Sequence, residues 1–171
     1  GIPFGQGFLK NRYVGRTFIS PGQDNRVDLV RQKLSPIVSE VRGKRIVLID
    51  DSIVRGTTSG QIVGLLREAG AKEIHMRISA PPFRNPCYYG TDIDSREHLI
   101  ACRHSVPEIA RIIGADTLGY LPMEDLKELI GCSEYCDACF SGNYPTEIPE
   151  SFEKDHFEAP LSRRKPKGER K

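Results

Sequence analysis

Two adjacent carboxylates, Asp50 and Asp51, begin the stretch of this sequence whose residue types could do chemistry. Carboxylate oxygens accept hydrogen bonds from sugar hydroxyls, and they bind Mg2+, which proteins hold through one or two carboxylates together with substrate oxygens. Gly56 and the hydroxyl residues Thr57–Ser59 follow closely and precede a helical pattern. The unpaired N–H groups at the start of a helix bind phosphate. Side by side, these groups would suit a phosphorylated sugar.

An acidic pair also has an ordinary structural interpretation. Aspartates followed by serine and glycine are common helix-cap and turn residues, and for an Asp-Asp pair alone that interpretation is favoured. The whole stretch from Ile46 to Ser59 is more specific than its parts, because it combines a strand, an acidic pair, a hydroxyl-rich turn and a helix.

The elements around the pair form a strand-helix-strand pattern. The apolar run before Asp50 predicts a strand buried on both faces. A helix is predicted over Gln61–Ala69 and ends at Gly70, and alternating apolar residues predict a strand over Glu73–Ser79. Parallel strands in such a unit bind ligands at their carboxyl ends, where the acidic pair lies. Further elements are predicted at Arg96–Arg103 (helix), Pro107–Ile113 (helix capped by Ser105), Leu118–Leu121 (strand) and Met123–Ile130 (helix).

The stretch Val47–Ser59 resembles the phosphoribosyl pyrophosphate motif of type I phosphoribosyltransferases. Its Asp-Asp-Ser-Ile-Val-Arg-Gly-Thr-Thr core is similar to the version found in the amidophosphoribosyltransferase family. Other segments resemble that family in the same order, namely Lys10–Ile19, Pro81–Asp92, Gly114–Leu118 and Cys136–Ile148. The resemblance covers residues 1–148 and implies an α/β fold: part of a type I phosphoribosyltransferase fold, a parallel sheet with flanking helices, truncated at its N-terminus.

The resemblance implies a cytoplasmic glycosyltransferase that transfers glutamine-derived ammonia to phosphoribosyl pyrophosphate. The product would be 5-phosphoribosylamine, in the first step of purine synthesis. No side chain is assigned as a catalytic base. Asp50 and Asp51 would hold Mg2+, and the substrate-binding set would be Asp50, Asp51, Ser52, Arg55, Gly56, Thr57, Thr58 and Ser59.

Residues 1–26 are rich in turn formers and basic residues, and they are predicted to be a loop. The residues alone favour a surface connection. The resemblance implies a mobile loop that orders over phosphoribosyl pyrophosphate, with Arg12, Tyr13 and Arg16 as lid candidates. A helix is predicted over Arg26–Glu40, ended or kinked by Pro36.

Five cysteines give a second signal, because Cys132, Cys136 and Cys139 lie close together in sequence and the last two form C-x-x-C. An odd count without a secretion signal favours a metal over disulfides, and the spacing leaves zinc, an iron–sulfur cluster and a redox dithiol open. The resemblance implies a [4Fe-4S] cluster held by Cys87, Cys136 and Cys139. The fourth ligand would lie outside this chain, with Cys132 as a substitute, and Cys102 is interpreted as a core cysteine.

The 171 residues are 38% apolar, which is enough to bury one core, and their net charge is +2. Residues 162–171 carry six Lys or Arg and one Glu, so we expect a disordered basic tail over 150–171. The folded part is assigned to residues 1–149, divided into the mobile loop (1–26), the βαβ unit (45–80) and a helical, cysteine-bearing region (81–149). Because the chain starts with Gly1, and the resemblance starts within a domain, we expect a fragment.

The expected partners are phosphoribosyl pyrophosphate, a glutaminase half absent from this chain, and further copies in a homo-oligomer. We expect neither a membrane nor a nucleic-acid partner, and we expect the chain alone to be inactive. Two alternatives remain open. One is another type I phosphoribosyltransferase, such as a base-salvage enzyme, and the other is a non-catalytic regulatory or nucleic-acid-binding module that keeps the fold.

Overall fold

The first two strands form a short antiparallel ribbon. A computed structural model describes residues 1–13, 30, 33–91, 93, 95–132 and 135–148. Strand β1 (Phe8–Lys10) pairs with β2 (Leu34–Pro36). The prediction of a loop over residues 1–26 is therefore wrong at β1. The prediction of a helix over residues 26–40 is wrong at β2, although Val30 and Lys33 are helical. The pairing joins residues far apart in sequence, which a local pattern does not reveal. Pro36 is tolerated because β2 is an edge strand of this two-stranded ribbon.

Three parallel strands form the main sheet. They are β3 (Arg45–Asp50), β4 (Glu73–Ile78) and β5 (Thr117–Tyr120), paired in the order β3-β4-β5. The register aligns Asp50 with Ile78 and Ile78 with Tyr120. The carboxyl ends of all three strands therefore meet at one edge of the sheet, as the α/β prediction requires.

The main core lies between this sheet and two helices. The helices are α1 (Val38–Val41), α2 (Thr57–Glu68), α3 (Ile100–Arg103), α4 (Val106–Ile113), α5 (Met123–Ile130) and α6 (Ala138–Ser141), with a 3-10 turn at Arg96–His98. α2 and α4 pack against each other and bury Val63, Leu66, Ile109 and Ile113 with Ile74 and Met76 of β4. We call the buried cluster to which these residues belong, and which also includes Ile53 and Ile100, the main core. The parallel sheet flanked by helices confirms the predicted fold class.

Strand β3 differs from its prediction. Burial alternates along it, and Val47 is 40% and Ile49 74% exposed, so the strand is buried on one face only. Within the described residues β3 is an edge strand, and the two long helices cover the face opposite to these side chains. Predicting burial on both faces was therefore wrong for this part of the chain.

A second, smaller cluster forms beyond β4. Phe83, Ile93 and Leu99 are buried together, and Val54, Cys87, Cys102, Cys139 and Phe140 pack against them. We call this set the cysteine cluster core. The helix predicted over Arg96–Arg103 is divided here into the 3-10 turn and α3, whereas α5 has the predicted bounds.

The cap of α4 follows its prediction. The Ser105 side chain meets the first turn of the helix, and the Glu108 carboxylate accepts the Ser105 N–H at 2.7 Å, which completes a capping box. No helix within the described ranges has the length and apolar composition needed to cross a membrane. The basic tail predicted over residues 150–171 lies outside the described residues.

Candidate active site at the carboxyl edge of the sheet

The acidic pair lies where β3 ends. Asp50 is the last residue of the strand, on the same face as Ile46 and Leu48, and Asp51 begins the next loop and is exposed. The Asp51 N–H donates to Asp50 Oδ1 at 3.0 Å, and the Ser52 hydroxyl donates to Asp51 Oδ1 at 2.7 Å. Two carboxylates and a hydroxyl are therefore held within one turn of chain.

The electrostatics of the pair fit a divalent cation. Burial raises the pKa of the Asp50 carboxyl above its usual value, the Asp51 N–H lowers it in part, and the negative charge of Asp51 raises it again. Within the described residues, neither carboxylate forms an ion pair with a Lys or Arg. Two neighbouring carboxylates without a basic partner are the kind of donor set that Mg2+ takes in proteins.

The turn that is predicted to bind phosphate is more helical than expected. α2 starts at Thr57 instead of Gln61, so Thr57, Thr58 and Ser59 form its first turn. Gly56 is the N-cap with φ of 82°, a left-handed conformation that favours glycine. The helix extends to Thr57 because this glycine supplies the turn, and the free N–H groups of the first turn follow it directly.

The predicted phosphate ligands differ in how accessible they are. Thr57 and Arg55 are exposed, and Ser52 and Thr58 are half-buried, whereas Ser59 is only 4% exposed. The structure therefore brings Ser52 and Thr57–Thr58 to the accessible side of the loop and places Ser59 toward the core.

One residue at this edge was missed in the sequence. Ser79 directly follows β4, and both its N–H (3.0 Å) and its hydroxyl (3.3 Å) donate to the Asp50 carbonyl. This anchors the end of β3 to the end of β4. The available signal was a polar residue immediately after the neighbouring parallel strand.

A groove of about 470 Å³ lies nearby, between α2 and α4. Arg55, Gly56 and Thr57 line one end, and Arg67 and Ile112 also line it, but neither aspartate does. Arg67 is held by the Asp116 carboxylate at 2.6 Å. The predicted sugar-phosphate site therefore shares Arg55, Gly56 and Thr57 with this groove, whereas its acidic pair lies outside the groove.

The lid candidates lie at the end of the β1-β2 ribbon. The Asn11 N–H donates to the Lys33 carbonyl at 2.8 Å, which joins the two ends of the intervening segment. Arg12 and Tyr13 follow Asn11 and are exposed, and the Tyr13 N–H donates to Asn11 Oδ1 at 3.0 Å. Arg16 lies outside the described residues.

Cys87 and Cys139 lie in one region and have opposite pKa shifts. Burial raises the pKa of the Cys87 thiol, but the N–H groups of Tyr89, Thr91 and Gly90 outweigh it and bring the pKa to about 7. Burial, followed by the charges of Cys87 and Cys136, raises the pKa of Cys139 to about 11. The charges of Cys87 and Cys136 therefore act on the Cys139 thiol.

The structure does not form a closed metal site from these thiols. In the described part of the chain, no three His, Cys, Asp or Glu side chains come together with the geometry of a metal site. Cys136 and Cys132 are exposed, and Cys102 Sγ donates to the Arg84 carbonyl at 3.1 Å. The predicted four-ligand cluster is not assembled by the described residues alone.

Protein contacts hold the two cysteine-bearing segments together. The Arg84 and Asn85 N–H groups both donate to the Cys139 carbonyl at 3.0 Å. The Tyr144 hydroxyl donates to the Pro86 carbonyl at 2.7 Å. The region therefore orders Cys87 and Cys139 through its own hydrogen bonds.

Comparison with known proteins points to one family. No protein-family model matches the chain. The amidophosphoribosyltransferase of Methanothermobacter thermautotrophicus is 56% identical over 151 residues, and that of Bacillus subtilis is 56% identical over 155 residues. These matches cover 87% and 86% of this chain, but only 32% of either relative. The chain thus spans about a third of the length of the curated relatives that it matches.

Solved structures agree with the sequence matches. The glutamine phosphoribosylpyrophosphate amidotransferase of B. subtilis, complexed with ADP and GMP, superposes with a TM-score of 0.73 at 55% identity, over 87% of this chain and 34% of that one. A structure described as the allosteric regulatory enzyme of purine biosynthesis superposes with a TM-score of 0.77 at 53% identity, over 94% of this chain and 36% of that one. Over the region that it shares with these proteins, the chain belongs to the amidophosphoribosyltransferase family.

Proposed function

We propose that this chain supplies the ribose-phosphate half of an amidophosphoribosyltransferase active site. The reaction transfers glutamine-derived ammonia to phosphoribosyl pyrophosphate and gives 5-phosphoribosylamine, the first step of purine synthesis. The observation that carries the proposal is the acidic pair Asp50 and Asp51 beside the glycine-started helix α2 at the carboxyl edge of the sheet. This edge lies within the region that is 56% identical to relatives named for the activity.

The acidic pair is proposed to hold the Mg2+ complex of the substrate through Asp50 and Asp51. When bound, Mg2+ neutralises the negative charge that develops on the departing pyrophosphate. The chain's own contribution is to keep two carboxylates adjacent and free of basic partners among the described residues, with Asp50 anchored by Ser79. The hydroxyls of the ribose would be the other partners of these carboxylates.

The 5-phosphate is proposed to bind at the turn that starts α2. The N–H groups of the first helical turn and the hydroxyls of Ser52, Thr57 and Thr58 donate to phosphate oxygens, and the helix dipole favours the negative charge. Arg55 adds a positive charge at the exposed side of the loop. Ser59 belongs to the set predicted from the sequence, but its burial makes it a support of the turn more than a direct donor.

Catalysis by this half-site would consist of positioning. Ammonia attacks the anomeric carbon, the bond to pyrophosphate breaks, and the amine loses a proton to water. Holding the ribose phosphate at two points, the acidic pair and the α2 turn, fixes the anomeric carbon between them. Arg12 and Tyr13 are proposed to cover the substrate from the β1-β2 ribbon, together with Arg16.

Cys87, Cys136 and Cys139 are proposed to supply three ligands of a [4Fe-4S] cluster. The supporting observations are the action of the Cys87 and Cys136 charges on the Cys139 thiol and the backbone N–H groups around Cys87, which stabilise a thiolate. The fourth ligand would come from outside this chain. No step of the transfer reaction passes through this group.

The remaining parts of the enzyme are proposed to lie in the two thirds of the relatives' length that this chain does not match. The ammonia source and the pyrophosphate-binding loop belong there. Residues 1–149 are proposed to be the C-terminal portion of the phosphoribosyltransferase domain, with the βαβ unit at residues 45–80. We expect the chain alone to form no 5-phosphoribosylamine from glutamine.

Calorimetry of phosphoribosyl pyrophosphate with and without Mg2+ tests the proposal. The chain should bind this ligand in a Mg2+-dependent manner, and Asp50→Asn and Asp51→Asn should each weaken binding by at least about tenfold. Asp125→Asn, which changes an exposed aspartate in α5, is the matched control and should bind normally. If the chain shows no Mg2+-dependent binding, the proposed function is wrong, and if both site variants bind like the unchanged chain, the metal role is wrong.

The cluster proposal has its own measurement. Anaerobic purification should yield iron and sulfide with the charge-transfer absorbance of a cluster, and Cys87→Ala should abolish it, whereas Cys102→Ala should not. A colourless protein that contains zinc would contradict the cluster.

A further inference from the structure

The phosphate-binding loop is supported from behind by a residue outside the site. The N–H of Ile100, the first residue of α3, donates to the Val54 carbonyl at 2.9 Å. Its side chain also approaches the loop, because Ile100 Cδ1 lies 2.8 Å from the point that a Cβ on Gly56 would occupy. One residue thus contacts the loop through both its backbone and its side chain.

These contacts lie at the junction of the two apolar clusters. Ile53 is buried in the main core, whereas its neighbour Val54 packs against the cysteine cluster core. The facing segment is split between the two clusters in the same way, because Leu99 belongs to the cysteine cluster core and Ile100 to the main core. The hydrogen bond between Ile100 and Val54 joins the two segments at this boundary.

The support acts on the conformation that phosphate binding requires. Gly56 has φ of 82°, and its left-handed turn directs the following N–H groups toward the predicted phosphate. A glycine has no side chain of its own to restrict the turn, so the atoms packed against it must do so. Ile100, which is only 7% exposed, occupies that space.

We propose that Ile100 is a positioning residue for the phosphate-binding loop, holding Val54–Gly56 in the conformation that starts α2. The proposal rests on the proposed function, because the loop is assigned to ribose 5-phosphate there. Ile100 touches no reacting atom, and it acts through the loop backbone.

The first test compares two buried isoleucines that lose the same methyl group. Ile100→Val removes Cδ1 and keeps the backbone N–H, and Ile74→Val removes the same atom from a fully buried residue at the amino end of β4. Hydrogen exchange of the chain should show the amides of residue 100 and of Gly60, which donate to the Val54 and Gly56 carbonyls, exchanging about tenfold faster in Ile100→Val. The affinity for ribose 5-phosphate should fall about threefold or more in that variant only.

The second test uses the close approach to Gly56. Gly56→Ala adds a Cβ that meets Ile100 Cδ1, and the left-handed strain of alanine is present whichever residue occupies position 100. If Ile100 holds the turn by contact, Gly56→Ala should accelerate amide hydrogen exchange in the loop less when Ile100 is already replaced by alanine than when Ile100 is present. The two effects should therefore be non-additive.

Two results would overturn the inference. One is loop exchange in Ile100→Val that equals that in Ile74→Val, and the other is additive effects of Gly56→Ala and Ile100→Ala. Failure of the unchanged chain to bind ribose 5-phosphate would count against the proposed function instead. The hydrogen exchange comparison needs no ligand, so it decides the role of Ile100 in either case.

Discussion

The Asp51 N–H donates to the Asp50 carboxylate at 3.0 Å, while the negative charge of Asp51 acts on the same group. The Asp51 N–H thus stabilises the ionised form of Asp50, whereas the Asp51 charge destabilises it. Burial of Asp50 also destabilises its ionised form, and the pKa of Asp50 is raised overall. The pair therefore costs folding stability at neutral pH and is available to a cation.

Asp50→Asn is expected to be more stable than the unchanged chain at pH 7. A carboxyl whose pKa is raised by folding contributes stability below its unfolded pKa, and this is lost as pH rises through the folded pKa. Asparagine has no charge to lose, so it avoids this loss of stability. Urea unfolding at pH 7 should therefore give Asp50→Asn a larger free energy of unfolding than the unchanged chain, by less than about 1 kcal/mol because solvent screens the partly exposed group. The difference should shrink toward pH 3. Asp125→Asn is the control, and an Asp50→Asn variant less stable at pH 7 would contradict the argument.

Tyr120→Phe is expected to stabilise the chain. The Tyr120 hydroxyl is buried and has no hydrogen-bond partner among the described residues, and burial raises its pKa to about 12. Removing an unsatisfied buried hydroxyl should increase the free energy of unfolding by about 1 kcal/mol. Urea unfolding at neutral pH measures this, and a loss of stability would show that the hydroxyl has a partner in the folded chain.

Ile49→Lys is expected to reduce self-association of the chain. Ile49 is 74% exposed on β3, which is an edge strand within the described sheet, and exposed apolar edge strands pair with other chains. Sedimentation velocity should show association that Ile49→Lys suppresses. Leu129→Lys is a matched control, because Leu129 is 73% exposed but lies on helix α5 and not on a strand. Equal effects of the two substitutions would contradict a role for the edge.

Cys87 is expected to be alkylated more than about tenfold faster than Cys139 at pH 7, because the thiolate is the nucleophile. Its pKa is about 7, whereas that of Cys139 is about 11. Iodoacetamide labelling of the metal-free chain, followed by peptide mass spectrometry, should show a Cys87 rate that rises through pH 7. Cys102→Ala is the control and should leave the pH dependence of Cys87 labelling unchanged. A Cys87 labelling rate with a pH midpoint near that of an ordinary thiol would contradict the prediction.

The elements that depend on local patterns were predictable. The amphipathic repeat and Ser105 cap predicted α4 to within one residue, and α5 has the predicted bounds. The acidic pair at a strand end and the glycine before a helix were also visible, because each depends on residues adjacent in sequence. The same holds for the cysteine spacing.

Other features could not be predicted because they join distant segments. The ribbon of β1 and β2 pairs residues more than 20 positions apart. The exposure of Ile49 follows from which strand lies at the edge. The contacts of Ser79 with Asp50 and of Ile100 with Val54 link separate elements in the same way.

The sequence by itself determined which chemical groups this chain carries: an acidic pair, a glycine- and hydroxyl-rich turn and a set of cysteines, in the order typical of one enzyme family. Only the tertiary structure decided how these groups are held. The Asp50 carboxylate is partly buried, Ser59 faces inward, and the loop is supported by Ile100 at the boundary of two cores. The reason is physical: residue type sets what a group can bind, whereas burial, pKa and accessibility depend on neighbours that only the fold brings together.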